Sequence, residues 1–171
     1  MWLRINSGSP KYKTIRCRDL RRKGKGLAAI DSRQRGIPGF NPDKAADSVI
    51  GLIGGGGLCG EIGEGGARKG WPNIEVFDGD DVELSNLNRQ KFSHRDIGKN
   101  KALRLAHHLK NEGYMGTCIL AYPYFFQEAL QRGVESKANL LICGVDNDQT
   151  RVFVSQYCLE RKIPAVFTAV S

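Results

Sequence analysis

The stretch SVIGLIGGGGLCG, residues 48–60, decides how the rest of the chain is read. A short apolar run stops abruptly at four glycines, as expected of a strand buried on both faces of a parallel sheet. Residues 58–69 then suit a helix with an unusual glycine load, Gly60, Gly63, Gly65 and Gly66. Small residues there let a helix lie close against a sheet. A strand, a glycine turn and a helix in this order open a βαβ unit.

The pattern continues along the chain. NIEVF, 73–77, reads as a second strand. KNKALRLAHHLK, 99–110, places Ala102, Leu105, Ala106 and Leu109 on one face and predicts an amphipathic helix. TCILA, 117–121, and ANLLIC, 138–143, read as further strands, 148–161 as a helix capped near Asp146 or Asp148, and 165–169 as a last strand. There is no internal repeat. Strands separated by helical segments predict an α/β fold, a doubly wound parallel sheet covered on both faces.

With 171 residues the chain fits one domain with a substantial core. The net charge of +8 is unevenly spread. Residues 1–30 hold nine Lys or Arg against a single acid, Asp19, while residues 31–171 hold 17 of each sign. The folded part is therefore neutral, which disfavours nucleic acid as its partner. The excess sits in the head KYKTIRCRDLRRKGKG, which lacks apolar periodicity and predicts a flexible basic segment over 1–30. Its sharper reading is an arm for RNA, a membrane surface or a partner. Cys17, Cys59, Cys118, Cys143 and Cys158 form no CxxC pair, a usage that suits a reducing cytoplasm and small core residues. No apolar run reaches the roughly 18–20 residues of a membrane span, and no signal peptide is apparent, so a cytoplasmic protein is expected.

In a sheet of this kind ligands bind beyond the carboxyl ends of the strands, where chain order reverses. Two loops leave from such ends. GGGGLCG, 54–60, lets backbone approach a phosphate at a helix N-terminus, which adds oriented N–H groups and partial positive charge. Gly54 and Gly56 fit the dinucleotide pattern G-x-G-x-x-G, but Cys59 stands where its third glycine belongs. DGDDVELSNLNRQKF, 78–92, is too polar for a packed strand and long for a simple connection, so it reads as a binding loop. It begins with Asp78, placed to accept from the ribose hydroxyls of either NAD or ATP. No G-x-x-x-x-G-K-[ST] phosphate loop occurs.

The segment DGDDVELSNLNRQ resembles the D-x-D-x-V-E-x-S-N-L-N-R-Q signature of the ThiF/MoeB/HesA and ubiquitin-activating enzyme superfamily. GGGGLCG resembles that family's G-x-G-G-x-G loop, DIGKNKA, 96–102, its D-x-G-x-x-K-A, and GVDNDQTR, 144–151, its T-D-N-x-x-x-R. The resemblance covers residues 30–171 and implies a Rossmann-like nucleotide-binding domain over 31–171, ending before the family's usual C-terminal part. Gly54, Gly56 and Gly57 would line the nucleotide loop, and Asp78 would hold the ribose. Ser85, Asn86, Leu87, Asn88 and Arg89 would border the nucleotide, with Asn86, Arg89 and Lys101 near the phosphates. Asp146 would coordinate Mg²⁺, with Asn147 beside it. Arg33, in SRQ at 32–34, resembles an arginine that reaches the neighbouring subunit's nucleotide, which implies a homodimer.

The implied reaction is adenylation by ATP of the C-terminal glycine of a ubiquitin-like or sulfur-carrier protein. Arg89, Lys101, Asp146 and Arg33 would act in catalysis. The family's later part, with its carrier platform, CxxC pairs and any catalytic cysteine, is not in this chain. A catalytically inactive dimerisation or scaffold module remains open as an alternative. An NAD- or FAD-dependent oxidoreductase is a second, though it leaves Asn86, Arg89 and Lys101 unexplained. Cys59 reads as a packing residue whose place at a helix N-terminus could lower its pKa. Cys143 and Cys158 read as core, and His107 and His108 are adjacent and cannot share a metal.

Overall fold

The computed structural model describes residues 11–19, 36–39 and 47–168; Arg33 lies outside them. The strands are β1 (Lys13–Arg16), β2 (Val49–Ile53), β3 (Asn73–Phe77), β4 (Cys118–Tyr122), β5 (Leu140–Cys143) and β6 (Ala165–Phe167). The helices are α1 (Gly57–Lys69), α2 (Lys101–Glu112), α3 (Phe126–Gln131) and α4 (Asp148–Arg161). They build one six-stranded sheet in the order β1-β4-β3-β2-β5-β6. β2 to β6 run parallel, and β1 joins antiparallel to β4 at the edge. The α/β doubly wound architecture is as the sequence predicts.

Side-chain alternation explains why both faces are covered. Ile50 and Leu52 of β2 pack with Ala67 of α1 and with Ala102, Leu105, Ala106 and Leu109 of α2. Ile53 packs on the opposite face with Phe126 and Ala129 of α3 and Val154, Tyr157 and Cys158 of α4. The apolar face predicted for 99–110 is the buried face of α2.

Of the four helical glycines, Gly63 behaves as expected, since a Cβ there would stand 3.0 Å from Leu52 in the sheet. Gly60 meets Lys91 and Leu105 instead, Gly66 meets Trp71, and Gly65 faces open space. Gly70 ends α1 at φ +81°, with Gly70 N–H and Trp71 N–H donating to the carbonyls of Ala67 and Gly66.

Two local expectations are corrected. Within the basic head, residues 13–16 are a sheet strand rather than part of a flexible tail, because Ile15 and Cys17 alternate inward and are buried while Lys13 and Arg16 stay exposed. Two apolar residues in a cationic run are too few to show a period. The N-cap of α4 is Asn147 rather than Asp146 or Asp148; its Oδ1 accepts from Thr150 N–H at 2.8 Å. Helix α3 was not legible, since six residues barely exceed one period. Among the described residues no helix is long and apolar enough to cross a membrane.

Candidate functional site

Strand order reverses at β2, whose neighbours are β3 and β5. At their carboxyl ends, Gly54 N–H donates to Phe77 O at 2.8 Å and Gly144 N–H to Ile53 O at 3.0 Å. The loops that leave β2, β3 and β5 therefore begin side by side. Between them, extending over the polar loop, lies a cleft of about 750 Å³.

The polar loop 78–100 is braced from within, because many of its polar groups bond one another. The 3₁₀ turn Leu84–Asn86 is closed by a capping box in which Asn86 Oδ1 accepts from Glu83 N–H at 2.9 Å. A second turn, His94–Asp96, is closed the same way by Ser93 and Asp96. Val82 and Phe92 anchor the loop in the core. Asn100 caps α2 by accepting from Leu103 N–H and also donates to the carbonyl of Asp78 at 2.8 Å. Lys91 pairs with Glu61 and Glu64 of α1 at 2.8 and 3.0 Å, tying the far end of the loop to that helix.

Asp78 is the junction between loop and glycine turn. Its Oδ2 accepts from Gly55 N–H at 2.6 Å and its Oδ1 from Asp80 N–H at 2.8 Å. Burial pushes the Asp78 carboxyl above its ordinary value, against the two hydrogen bonds that favour its charge. Gly55 is sterically confined, since a Cβ would stand 3.2 Å from Asp78 Oδ2 and 3.3 Å from Lys101 Cβ. At Gly57 a Cβ would stand 3.1 Å from the carbonyl oxygen of Arg89, so the glycine turn and the SNLNRQ segment lie against each other. Gly54 takes φ +96°, which explains a glycine at the turn itself.

Of the residues singled out in the sequence, Gly54, Gly56, Gly57 and Asp78 line the cleft on the β2 and β3 side. Asn86, Arg89 and Lys101 line it from the polar loop and α2, and Asp146 and Asn147 from the β5 exit. The two cations are held on local acceptors. Arg89 Nη1 donates to Ser85 O at 2.7 Å and Asn88 Oδ1 at 3.0 Å, and Lys101 Nζ pairs with Asp80 at 3.1 Å.

Ser85, Leu87 and Asn88 do not line the cleft. Ser85 Oγ donates to Glu83 at 3.2 Å, Leu87 packs on the core, and Asn88 serves Arg89. Cys59 is buried, and that burial pushes its thiol up to about 12, the direction opposite to activation. Cys143 and Cys158 are buried as expected. His107 and His108 diverge, the first toward Lys13 and the second toward Glu64.

Sequence reasoning missed several residues of the site. Gly55 does not line the cleft but donates to Asp78; it was hidden in a run of four glycines, and only that hydrogen bond distinguishes it. Phe125 and Thr168 carry no motif signal, and Asp80, although it matches the second aspartate of the signature, was given no role. Gln90 closes the SNLNRQ segment, lines the cleft, and has a buried Oε1 without a hydrogen-bond partner. Phe125 is half-exposed and stands over Gly79, where a Cβ would come within 2.8 Å of its ring.

The chain as a whole is similar to known proteins. The NEDD8-activating enzyme E1 catalytic subunit of Caenorhabditis elegans is 32% identical over 148 residues, 83% of this chain and 33% of the relative. The adenylyltransferase and sulfurtransferase MOCS3-1 of Zea mays is 29% identical over 140 residues, 79% of this chain and 30% of the relative. Among solved structures, the E. coli tRNA N6-threonylcarbamoyladenosine dehydratase TcdA in complex with ATP superposes with a TM-score of 0.63 at 26% identity, covering 73% of this chain and 52% of that one. The chain spans about a third of the length of the curated relatives it matches. Residues 32–171 match the ThiF family over most of the chain, and the chain belongs to that family.

Proposed function

We propose that the chain is the nucleotide-binding part of an activating enzyme that adenylates the C-terminal glycine of a ubiquitin-like or sulfur-carrier protein. The observation that carries this reading is the convergence of Asp78 and Arg89 from the polar loop, Lys101 from α2 and Asp146 from the β5 exit on one cleft at the sheet reversal. Family membership and the ATP-bound TcdA relative support it. Asp78, already fixed by two backbone donors, keeps lone pairs for ribose hydroxyls. Lys101 and Arg89 exchange Asp80 and the Ser85 carbonyl for phosphate oxygens. They neutralise charge as the carrier carboxylate attacks the α-phosphorus; a C–O–P bond forms, the α–β P–O bond breaks, and pyrophosphate leaves.

Asp146, an exposed carboxylate at the cleft, suits a magnesium ion carried on the nucleotide, since such ions keep several waters and take one or two protein carboxylates. When bound, Mg²⁺ would neutralise phosphate charge and ease departure of pyrophosphate. Cytoplasmic residence is supported by five free cysteines. We place Arg33 in the reaction as a cation supplied across a homodimer. Mixing Arg33→Ala with Lys101→Ala protein then restores part of the activity, and absence of rescue removes Arg33 from the site.

The test of the main reading is ATP–pyrophosphate exchange that depends on an intact carrier C-terminus. Arg89→Ala and Lys101→Ala abolish it while leaving the fold intact. Exchange at the wild-type rate in either variant refutes the assigned roles, and nicotinamide binding in place of ATP binding refutes the reaction class.

A further inference from the structure

The β5 exit loop carries Asp146 into the cleft, and one side chain accounts for its shape. Arg151, in the first turns of α4, folds back beneath this loop instead of pointing to solvent. Its Nη1 donates to the carbonyls of Val145 and Thr168, each at 3.1 Å, and its guanidinium lies over the Phe167 ring, 5.5 Å from the centroid. Thr168 is in turn fixed to β5, with its N–H and Oγ1 donating to Cys143 O at 2.9 and 3.3 Å. The residue immediately before Asp146 is thereby joined through Arg151 to the end of β6. Asn147, immediately after it, is held by its cap bond to Thr150 N–H.

A cation near a helix N-terminus opposes the helix dipole, so its position calls for a local reason. The two carbonyls supply it, because a guanidinium presents several donors in a fixed plane, which a lysine cannot. We propose that Arg151 is a positioning residue that holds Asp146 in the orientation needed to engage the metal-bearing phosphates of the nucleotide. The inference rests on the proposed role of Asp146. Arg151 itself is half-buried and touches backbone, so it acts through Asp146 and not on the substrate.

The experiment measures ATP affinity by titration calorimetry in excess Mg²⁺ and in EDTA for the wild type, Arg151→Lys, Asp146→Asn and the double variant. Circular dichroism confirms the fold of each. Arg151→Lys should lose roughly 10–100-fold in Mg²⁺-dependent affinity, the range expected when a group that orients a metal ligand is removed, while affinity in EDTA stays within about twofold. The double variant should be no weaker than Asp146→Asn alone, since both act on one interaction. Equal losses with and without Mg²⁺ would reduce Arg151 to a structural role and overturn the proposal, as would an unchanged Mg²⁺ dependence. A wild-type chain that binds no ATP overturns the nucleotide reading as well, and is distinguished by failing before any substitution is made.

Discussion

Asp78→Ala is the substitution whose effect the structure specifies most closely, because the carboxylate serves the fold before any ligand arrives. Removing it leaves two donors without acceptors. The Gly55 N–H, 2.6 Å from Oδ2, is buried, and an orphaned buried donor costs about 1–3 kcal/mol. The Asp80 N–H, 2.8 Å from Oδ1, belongs to an exposed residue and can turn to water, so its loss costs about 0.5–1.5 kcal/mol. Against this stands the desolvation that pushes the Asp78 carboxyl up, which the alanine removes. The net loss should be about 2 kcal/mol in the ligand-free protein. With a urea dependence of about 2 kcal/mol/M, the midpoint of unfolding falls by about 1 M. Urea titration followed by tryptophan fluorescence reads this, with Asp146→Ala, an exposed position, as the control that should not move. A midpoint within about 0.2 M of the wild type would show that Asp78 does not fasten the glycine turn. A ribose site preformed by Asp78 would be ruled out with it.

Other outcomes follow from equally local geometry. Gly65→Ala, facing open space, should stabilise the protein by about 0.5–1 kcal/mol through the helix, whereas Gly66→Ala places a methyl 2.1 Å from Trp71 and should destabilise it by about 1–3 kcal/mol with a change in tryptophan fluorescence. Paired urea midpoints check this, and the same sign in both variants would refute it. Glu64, bonded by His108, Lys91 and Arg68, is held at about 2 against an ordinary 4.5. Its folded pKa is depressed, so its contribution is complete above about 4.5 and is lost as pH falls toward about 2. Glu64→Gln should flatten that acid limb in a pH series of unfolding midpoints. Gly57→Ala pushes on the Arg89 carbonyl and should lower ATP–pyrophosphate exchange by roughly tenfold or more with little change in stability; exchange at the wild-type rate would mean that the placement of Arg89 does not matter.

The contrast between predicted and observed features follows the range of the forces involved. α2 was legible to its individual buried residues because a four-residue apolar stripe reports one face against one core. β1 was not, since its place depends on a partner more than a hundred residues away, with Ile15 opposite Ile119. The polar loop was recognised as a binding segment, yet its internal logic was hidden. Part of its polarity closes on the loop itself, so Ser85 and Asn88 spend their side chains on Glu83 and Arg89 rather than on the cleft.

Strand and helix type, the glycine turn and the SNLNRQ signature were written in local order, because each is decided by residues within a few positions of one another. Which glycine receives the Asp78 hydrogen bond, which residue caps α4, what Arg151 grips and whether Cys59 is reactive were decided by tertiary structure. Each of these depends on distance and burial between segments that the chain keeps far apart. Asp78 and Gly55 are 23 residues apart in sequence and 2.6 Å apart in the fold. Hydrogen bonds and desolvation respond to the second separation only.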